Sequence, residues 1–363
     1  MAGRVLTVLG TRPEIIRLSR LIPRLDTSCT HTVLYTGQNA DPRLSTVFFD
    51  ELAVRPADIV LECQRPGLGR QLACIFEGAA DAIDRVRPDR VVILGDTNSG
   101  LAALVAARAG VPVVHLEAGN RCFSWASPEE VNRRAIDHVS TWLLPYTALS
   151  AGHLAREGIT DDRIVVVGNP IFEVLTAHRD AIDRSGATGA CGVHAGAFVL
   201  LTLHRAETVD VPHHLAEVLG AADAAGARLD VPVVFPVHPR TRERLSRSGG
   251  SMPERIHLVD PLGFADFVRL ERDARLVLSD SGTVREECAI LGTPCVVTRD
   301  YTERMETIES GASELGGRTR ASLESAVSRA LARASAPPHR PSMSSPTWQP
   351  RWSASSWGRC RPP

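Results

Sequence analysis

Val5-Leu6-Thr7-Val8-Leu9-Gly10-Thr11-Arg12-Pro13-Glu14 runs from a short β-branched stretch into a glycine and then a polar set. It reads as a strand ending in a tight turn. Working outward, the amphipathic stretch Ile15 to Leu25 follows, then His31 to Thr36 and later Arg90 to Leu94 as further strands. Val111 to Leu116 and Arg163 to Val167 read the same way. Short β-branched runs alternating with longer amphipathic segments indicate a parallel sheet with crossover helices. A second set of strands is expected at Ala197–Leu203, Val231–Val237, Arg255–Val259, Arg275–Ser279 and Cys295–Thr298.

The fold class is therefore α/β, with two Rossmann-like domains facing a cleft: an N-terminal domain over residues 1–170 and a C-terminal one over 171–336. Residues 337–363 are rich in Pro, Ser and Arg, lack acidic residues and hold three of the five tryptophans, a composition that builds no core and predicts disorder. In parallel α/β sheets ligands sit beyond the carboxyl ends of the strands. Those positions hold Gly10-Thr-Arg-Pro-Glu14, Gly95-Asp-Thr97, Glu117-Ala-Gly119, His204-Arg205, His238-Pro-Arg240 and Asp280-Ser-Gly-Thr283, and this convergence marks an enzyme site.

Composition narrows the chemistry. All 41 basic residues are arginine, so a lysine Schiff base and a Walker A lysine are excluded, and arginine must carry any phosphate recognition. The net charge of −1 gives nucleic acid or an anionic membrane no general attraction. The apolar stretch Val5 to Leu9 is too short for a signal peptide or a membrane span, so a cytoplasmic location is expected. The eight cysteines form no CxxC pair, which predicts reduced, mostly buried thiols and no zinc site.

Among the groups that can do chemistry, Asp96 and Glu117 follow two strands expected to be neighbours, so their carboxylates can face one another. Close carboxylates push their pKa values apart, giving one that holds a proton and one that accepts it. Ser127-Pro128-Glu129-Glu130 opens a helix, with Ser127 as N-cap. Ser281-Gly282-Thr283 forms a strand-to-helix turn whose free N–H groups make an anion site, the plainer alternative being an ordinary helix start capped by Ser281. Glu286 and Glu287, expected some turns into that helix, suit ribose hydroxyls or a solvated face. His204 suits a phosphate or acid–base work, whereas His138, His213 and His214 read as structural.

Taken in order, these motifs, with Thr36-Gly-Gln38, Asn132-Arg133 and Pro236-Val-His-Pro239, resemble the non-hydrolysing UDP-N-acetylglucosamine 2-epimerase family over roughly residues 5–315. Thr36-Gly-Gln-Asn39 and Glu117-Ala-Gly-Asn-Arg-Cys-Phe123 are similar to the capsule and O-antigen branch acting in UDP-N-acetyl-L-fucosamine synthesis. The resemblance implies a GT-B fold, a homodimer, no metal or redox cofactor, and a UDP-sugar substrate. It implies removal of the C2 proton with loss of UDP to give a 2-acetamidoglucal, then readdition with reprotonation on the other face. Asp96, Glu117 and Glu129 fall on the family's catalytic carboxylates and His204 on its phosphate-side histidine. Arg12, Arg133, Ser281, Gly282 and Glu286 fall on residues that grip the nucleotide sugar, and Arg17 and His238 complete the expected substrate-binding set.

The chain departs from the family at four places. Arg17 stands where lysine is common, Asn39 replaces a histidine near the family's regulatory site, Met305 stands in a loop position that is proline elsewhere, and residues 337–363 match no family ending. A GT-B glycosyltransferase, a hydrolysing epimerase and a non-catalytic nucleotide-sugar sensor are the competing readings.

Overall fold

A computed structural model describes residues 3–38, 48–237, 239–247 and 252–334. The chain divides into two compact units, one running to Val174 and the other beginning at Leu175.

The first unit holds a six-stranded parallel sheet of β1 (Arg4–Leu9), β2 (Thr30–Tyr35), β3 (Ile59–Val60), β4 (Arg90–Leu94), β5 (Val113–Leu116) and β6 (Trp142–Leu144), in the order β3-β2-β1-β4-β5-β6. The second holds β7 (Val199–Thr202), β8 (Val233–Pro236), β9 (Ile256–Val259), β10 (Leu276–Ser279), β11 (Cys295–Val297) and β12 (Ser313–Leu315), in the order β12-β11-β10-β7-β8-β9. Both have one connectivity: three strands are laid down in one direction and the next three in the other. Each unit is therefore a doubly wound Rossmann-like sheet. The reversal falls between β1 and β4 in the first unit and between β7 and β10 in the second.

The strands are apolar at successive positions because both faces are covered. Val199 and Leu201 pack with Val218 and Ala222 of helix Pro212–Leu229 and Leu323 of helix Arg320–Ala334. Phe198 and Leu200 point the other way, into a cluster with Val277, Val284 and Cys288. In the first unit Leu6, Val8, Val91 and Ile93 pack against Ile75 and Ala79 of helix Leu68–Val86.

Four expectations need correction. Ile15 to Leu25 is two helices, Arg12–Leu18 and Ile22–Ser28, because Pro23 lacks an N–H and fits only a helix start. Arg163–Val167 is no strand: Asp161–Arg163 is a 3-10 turn, and the segment beyond it runs beside β6 through Val165 N–H to the Leu143 carbonyl at 2.9 Å. Glu286 and Glu287 lie in the first turn of helix Val284–Leu291, not some turns into it. Cys63 and Cys74 form a disulfide, their Cα atoms 5.4 Å apart, since the chain after β3 folds onto helix Leu68–Val86. Cys29, Cys122, Cys191, Cys288 and Cys295 are free thiols, as expected, though only Cys288 and Cys295 are buried. No described helix is long and apolar enough to cross a membrane.

Candidate active site

In the first unit the expected residues gather at the carboxyl ends of β1 and β4, which flank the reversal, and of β5 beside β4. Gly95 follows β4, with a φ of +73° that is open to glycine without strain, and Asp96 comes next. Glu117 follows β5 as a non-glycine residue at φ +69°, a backbone state that costs energy and that the surrounding structure must hold. Gly119, at φ +80°, completes that turn, and a side chain there would strike the Ser150 carbonyl at 2.3 Å.

Arginine governs the carboxylates. Arg133, on helix Pro128–Val139, donates from Nε and Nη2 to Asp96 Oδ2 at 3.0 and 2.6 Å. Its Nη1 donates to Glu130 Oε2 at 2.6 Å, and Glu130 also takes the Cys122 N–H at 3.0 Å. Glu117 is ion-paired with Arg17, and both are buried. Burial raises the Asp96 carboxyl above the usual range; Arg133 opposes this, while Glu117 and Glu129 push it further up. Glu117 and Glu129 thus both act electrostatically on Asp96.

Ser127 occupies the N-cap position, but its hydroxyl donates to Glu129 at 2.8 Å instead of capping the helix. Arg12 is exposed, with its guanidinium 5.1 Å from the centre of the Phe48 ring.

Sequence reasoning missed Glu14. It is buried, accepts from the Gly10 N–H at 3.1 Å, the Thr11 hydroxyl at 2.6 Å and the Thr97 hydroxyl at 3.2 Å, and burial pushes its carboxyl up to about 7. The carboxylate ties the turn after β1 to the residue next to Asp96. A glutamate three residues beyond Thr11 at a helix start was the available signal.

In the second unit Asp280, after β10, accepts the backbone N–H groups of His204 at 3.1 Å and Arg205 at 3.0 Å, and its Oδ1 lies 3.0 Å from His204 Nδ1. Burial alone would raise Asp280, but His204 and the Arg205 amide hold its carboxyl below the usual range. The His204 ring is half exposed, so Asp280 fixes one nitrogen while the other faces outward.

Ser281 and Thr283 exchange a hydroxyl hydrogen bond at 3.0 Å in the turn before helix Val284–Leu291, where Thr283, not Ser281, is the N-cap. A side chain on Gly282 would meet Glu303 at 3.0 Å. Glu286 and Glu287 are buried, which removes the solvated-face reading; Glu286 lies 3.1 Å from Arg304 Nε. Behind them Glu303 pairs with Arg285 at 2.5 Å and with Arg299 at 3.1 Å. Met305 starts helix Met305–Glu309, a first helical position where proline is also accepted, so the exchange is mild. His238, Asn39 and residues 337–363 lie outside the described residues.

Two Rossmann-like domains in one chain, with carboxylates beyond the strands of the first and a glycine-containing turn, a histidine and a buried glutamate beyond those of the second, define an enzyme of GT-B type that handles nucleotide sugars. The family model described as UDP-N-acetylglucosamine 2-epimerase matches residues 24–349, and the chain belongs to that family.

It is 36% identical over 329 residues to the UDP-N-acetylglucosamine 2-epimerase of Methanocaldococcus jannaschii, covering 88% of this chain and 90% of that one. It is 34% identical to the UDP-2,3-diacetamido-2,3-dideoxy-D-glucuronate 2-epimerase of Pseudomonas aeruginosa, covering 87% and 89%. The crystal structure of the Methanocaldococcus enzyme in complex with UDP-GlcNAc and UDP matches with a TM-score of 0.85 at 35% identity, covering 90% of this chain and 92% of that one.

Proposed function

We propose that this chain interconverts UDP-N-acetylglucosamine and UDP-N-acetylmannosamine without hydrolysis. The observation that carries the reading is the set of interacting carboxylates, Asp96, Glu117 and Glu129, held by Arg133, Arg17 and Ser127 beyond β4 and β5. One carboxylate takes the C2 proton as the C1–O bond to UDP breaks, leaving a 2-acetamidoglucal and free UDP. UDP then adds back at C1, and a second carboxylate returns a proton to C2 from the opposite face. Inversion at C2 needs an acid–base group for each face, which a single carboxylate does not supply.

On the same reading His204 donates to the phosphates, with Ser281, Gly282, Arg12 and His238 gripping the diphosphate and Glu286 the ribose. The reaction is redox-neutral and its acid–base groups are all side chains, so it calls for no cofactor. A homodimer acting in the cytoplasm completes the proposal, supported by the family resemblance.

The Pseudomonas relative favours one second reading, a 2-epimerase of a more elaborate UDP-acetamido sugar. Incubation with UDP-N-acetylglucosamine, and in parallel with UDP-2,3-diacetamido-2,3-dideoxy-D-glucuronate and a 6-deoxy-L UDP-acetamido sugar, tests both. An equilibrium mixture of C2 epimers still linked to UDP supports the proposal for whichever substrate yields it. Release of free N-acetylmannosamine with UDP contradicts it, as does reaction only when an acceptor sugar is added.

A further inference from the structure

His115 lies in β5, with Ile93 of β4 and Leu143 of β6 as its register partners on either side, and its ring is wholly buried. Its Nε2 is 2.8 Å from the carbonyl of Gly95, the residue before Asp96. Its Nδ1 is 2.8 Å from Asp137 Oδ1, and Asp137, on helix Pro128–Val139, is buried as well. The other Asp137 oxygen accepts the Gly119 N–H at 3.2 Å and Arg121 Nη1 at 2.7 Å. One imidazole and one carboxylate therefore connect the turn carrying Asp96 to the turn carrying Glu117, from beneath both.

Both turns need such a tie. Gly95, Glu117 and Gly119 all have positive φ, and Glu117 holds that conformation without the freedom of glycine. A carboxylate and a carbonyl only accept hydrogen bonds, so the ring satisfies both neighbours only when each nitrogen carries a proton. Arg121 cannot replace the ring, since it reaches Asp137 from the far side and Glu157 beyond.

We propose that His115 and Asp137 are positioning residues for the epimerase chemistry: the ring, bridging as an imidazolium, fixes where the Asp96 and Glu117 carboxylates stand relative to each other. Neither residue touches the sugar. This rests on the proposed function for its activity readout and on geometry alone for the bridge. Catalytic groups displaced by about 1 Å lose on the order of 100-fold in rate. The nucleotide contacts expected in the second unit are independent of this pair.

The test uses the full chain with Asp137→Asn, which keeps shape and presents an amide to the ring, and His115→Gln, which keeps one donor. Expected is a fall in kcat on the order of 100-fold in each variant, with the dissociation constant of UDP unchanged within about twofold by titration calorimetry. A kcat within about threefold of the parent overturns the proposal, and so does a parallel loss of UDP affinity and turnover. If either variant fails to fold, nitrogen-15 NMR of the His115 ring in the unaltered protein decides. Two protonated ring nitrogens support the bridge, and a neutral ring with one N–H overturns it. Absence of turnover in the unaltered protein defeats the proposed function while leaving the NMR result to judge the bridge.

Discussion

Arg133 places two donors, Nε at 3.0 Å and Nη2 at 2.6 Å, on the same oxygen of Asp96, so its planar fork fixes that carboxylate in direction as well as in charge. The same guanidinium reaches Glu130 through Nη1. One side chain thereby locks the turn after β4 to the helix that carries Glu129.

Arg133→Lys keeps the charge and loses the fork. Turnover is expected to fall on the order of 100-fold with little change in UDP affinity, because a point charge does not orient Asp96. Arg133 lowers the Asp96 pKa against the effect of burial. Arg133→Met is therefore expected to raise it and, if ionised Asp96 is required, to move the acid limb of the kcat/KM profile to higher pH. Steady-state kinetics from pH 5 to 9 check both.

Arg17 and Glu117 form a buried ion pair. Removing one partner leaves a buried charge uncompensated, at a cost of about 3–5 kcal/mol. Arg17→Met is expected to lower stability by that order in urea unfolding, whereas Arg17→Lys, which keeps the charge beside Glu117, retains most of the stability and activity.

Glu14 has its carboxyl raised by burial from 4.5 to about 7. A carboxyl raised on folding favours the folded state most below its unfolded pKa, and that contribution is lost as pH rises through the folded value. Between pH 4.5 and 7 the loss amounts to about 3 kcal/mol at 1.36 kcal/mol per unit. Glu14→Gln keeps an acceptor for Gly10 and Thr11 and cannot ionise. The variant is expected to be more stable than the parent at pH 8 and to gain progressively less as pH falls toward 5. An equal stability difference at both pH values would contradict this account.

The Cys63–Cys74 disulfide spans a sequence separation of 11 residues, for which chain-entropy arguments give a stabilisation of about 3 kcal/mol. Reduction with dithiothreitol is expected to lower Tm, and the double substitution to alanine to lower it in oxidising buffer and abolish the response to reductant.

The strands read most easily from sequence were those buried on both faces, because Val91–Leu94 is apolar at every step and Val5–Leu9 at every step but Thr7. β3, β6 and β12 were missed because two or three residues carry no period. Asp96, Glu117 and His204 were legible from their places after strands. Arg17 and Arg133 were expected to bind substrate, but their pairing with the carboxylates was not legible, since Arg17–Glu117 spans 100 positions. His115 falls inside the stretch Val111 to Leu116 that reads only as a strand, and its role emerges from two contacts that sequence spacing does not reveal. Pairing of Cys63 with Cys74 was hidden for the same reason, as no motif marks it.

Proton NMR of UDP-N-acetylglucosamine incubated with the protein in deuterated water tests directly whether these carboxylates exchange the C2 proton of a UDP-acetamido sugar. Loss of the C2 proton signal to deuterium, together with growth of UDP-N-acetylmannosamine, is the predicted result. Retention of the C2 proton in UDP-N-acetylglucosamine and in the diacetamido and 6-deoxy substrates alike would contradict the account.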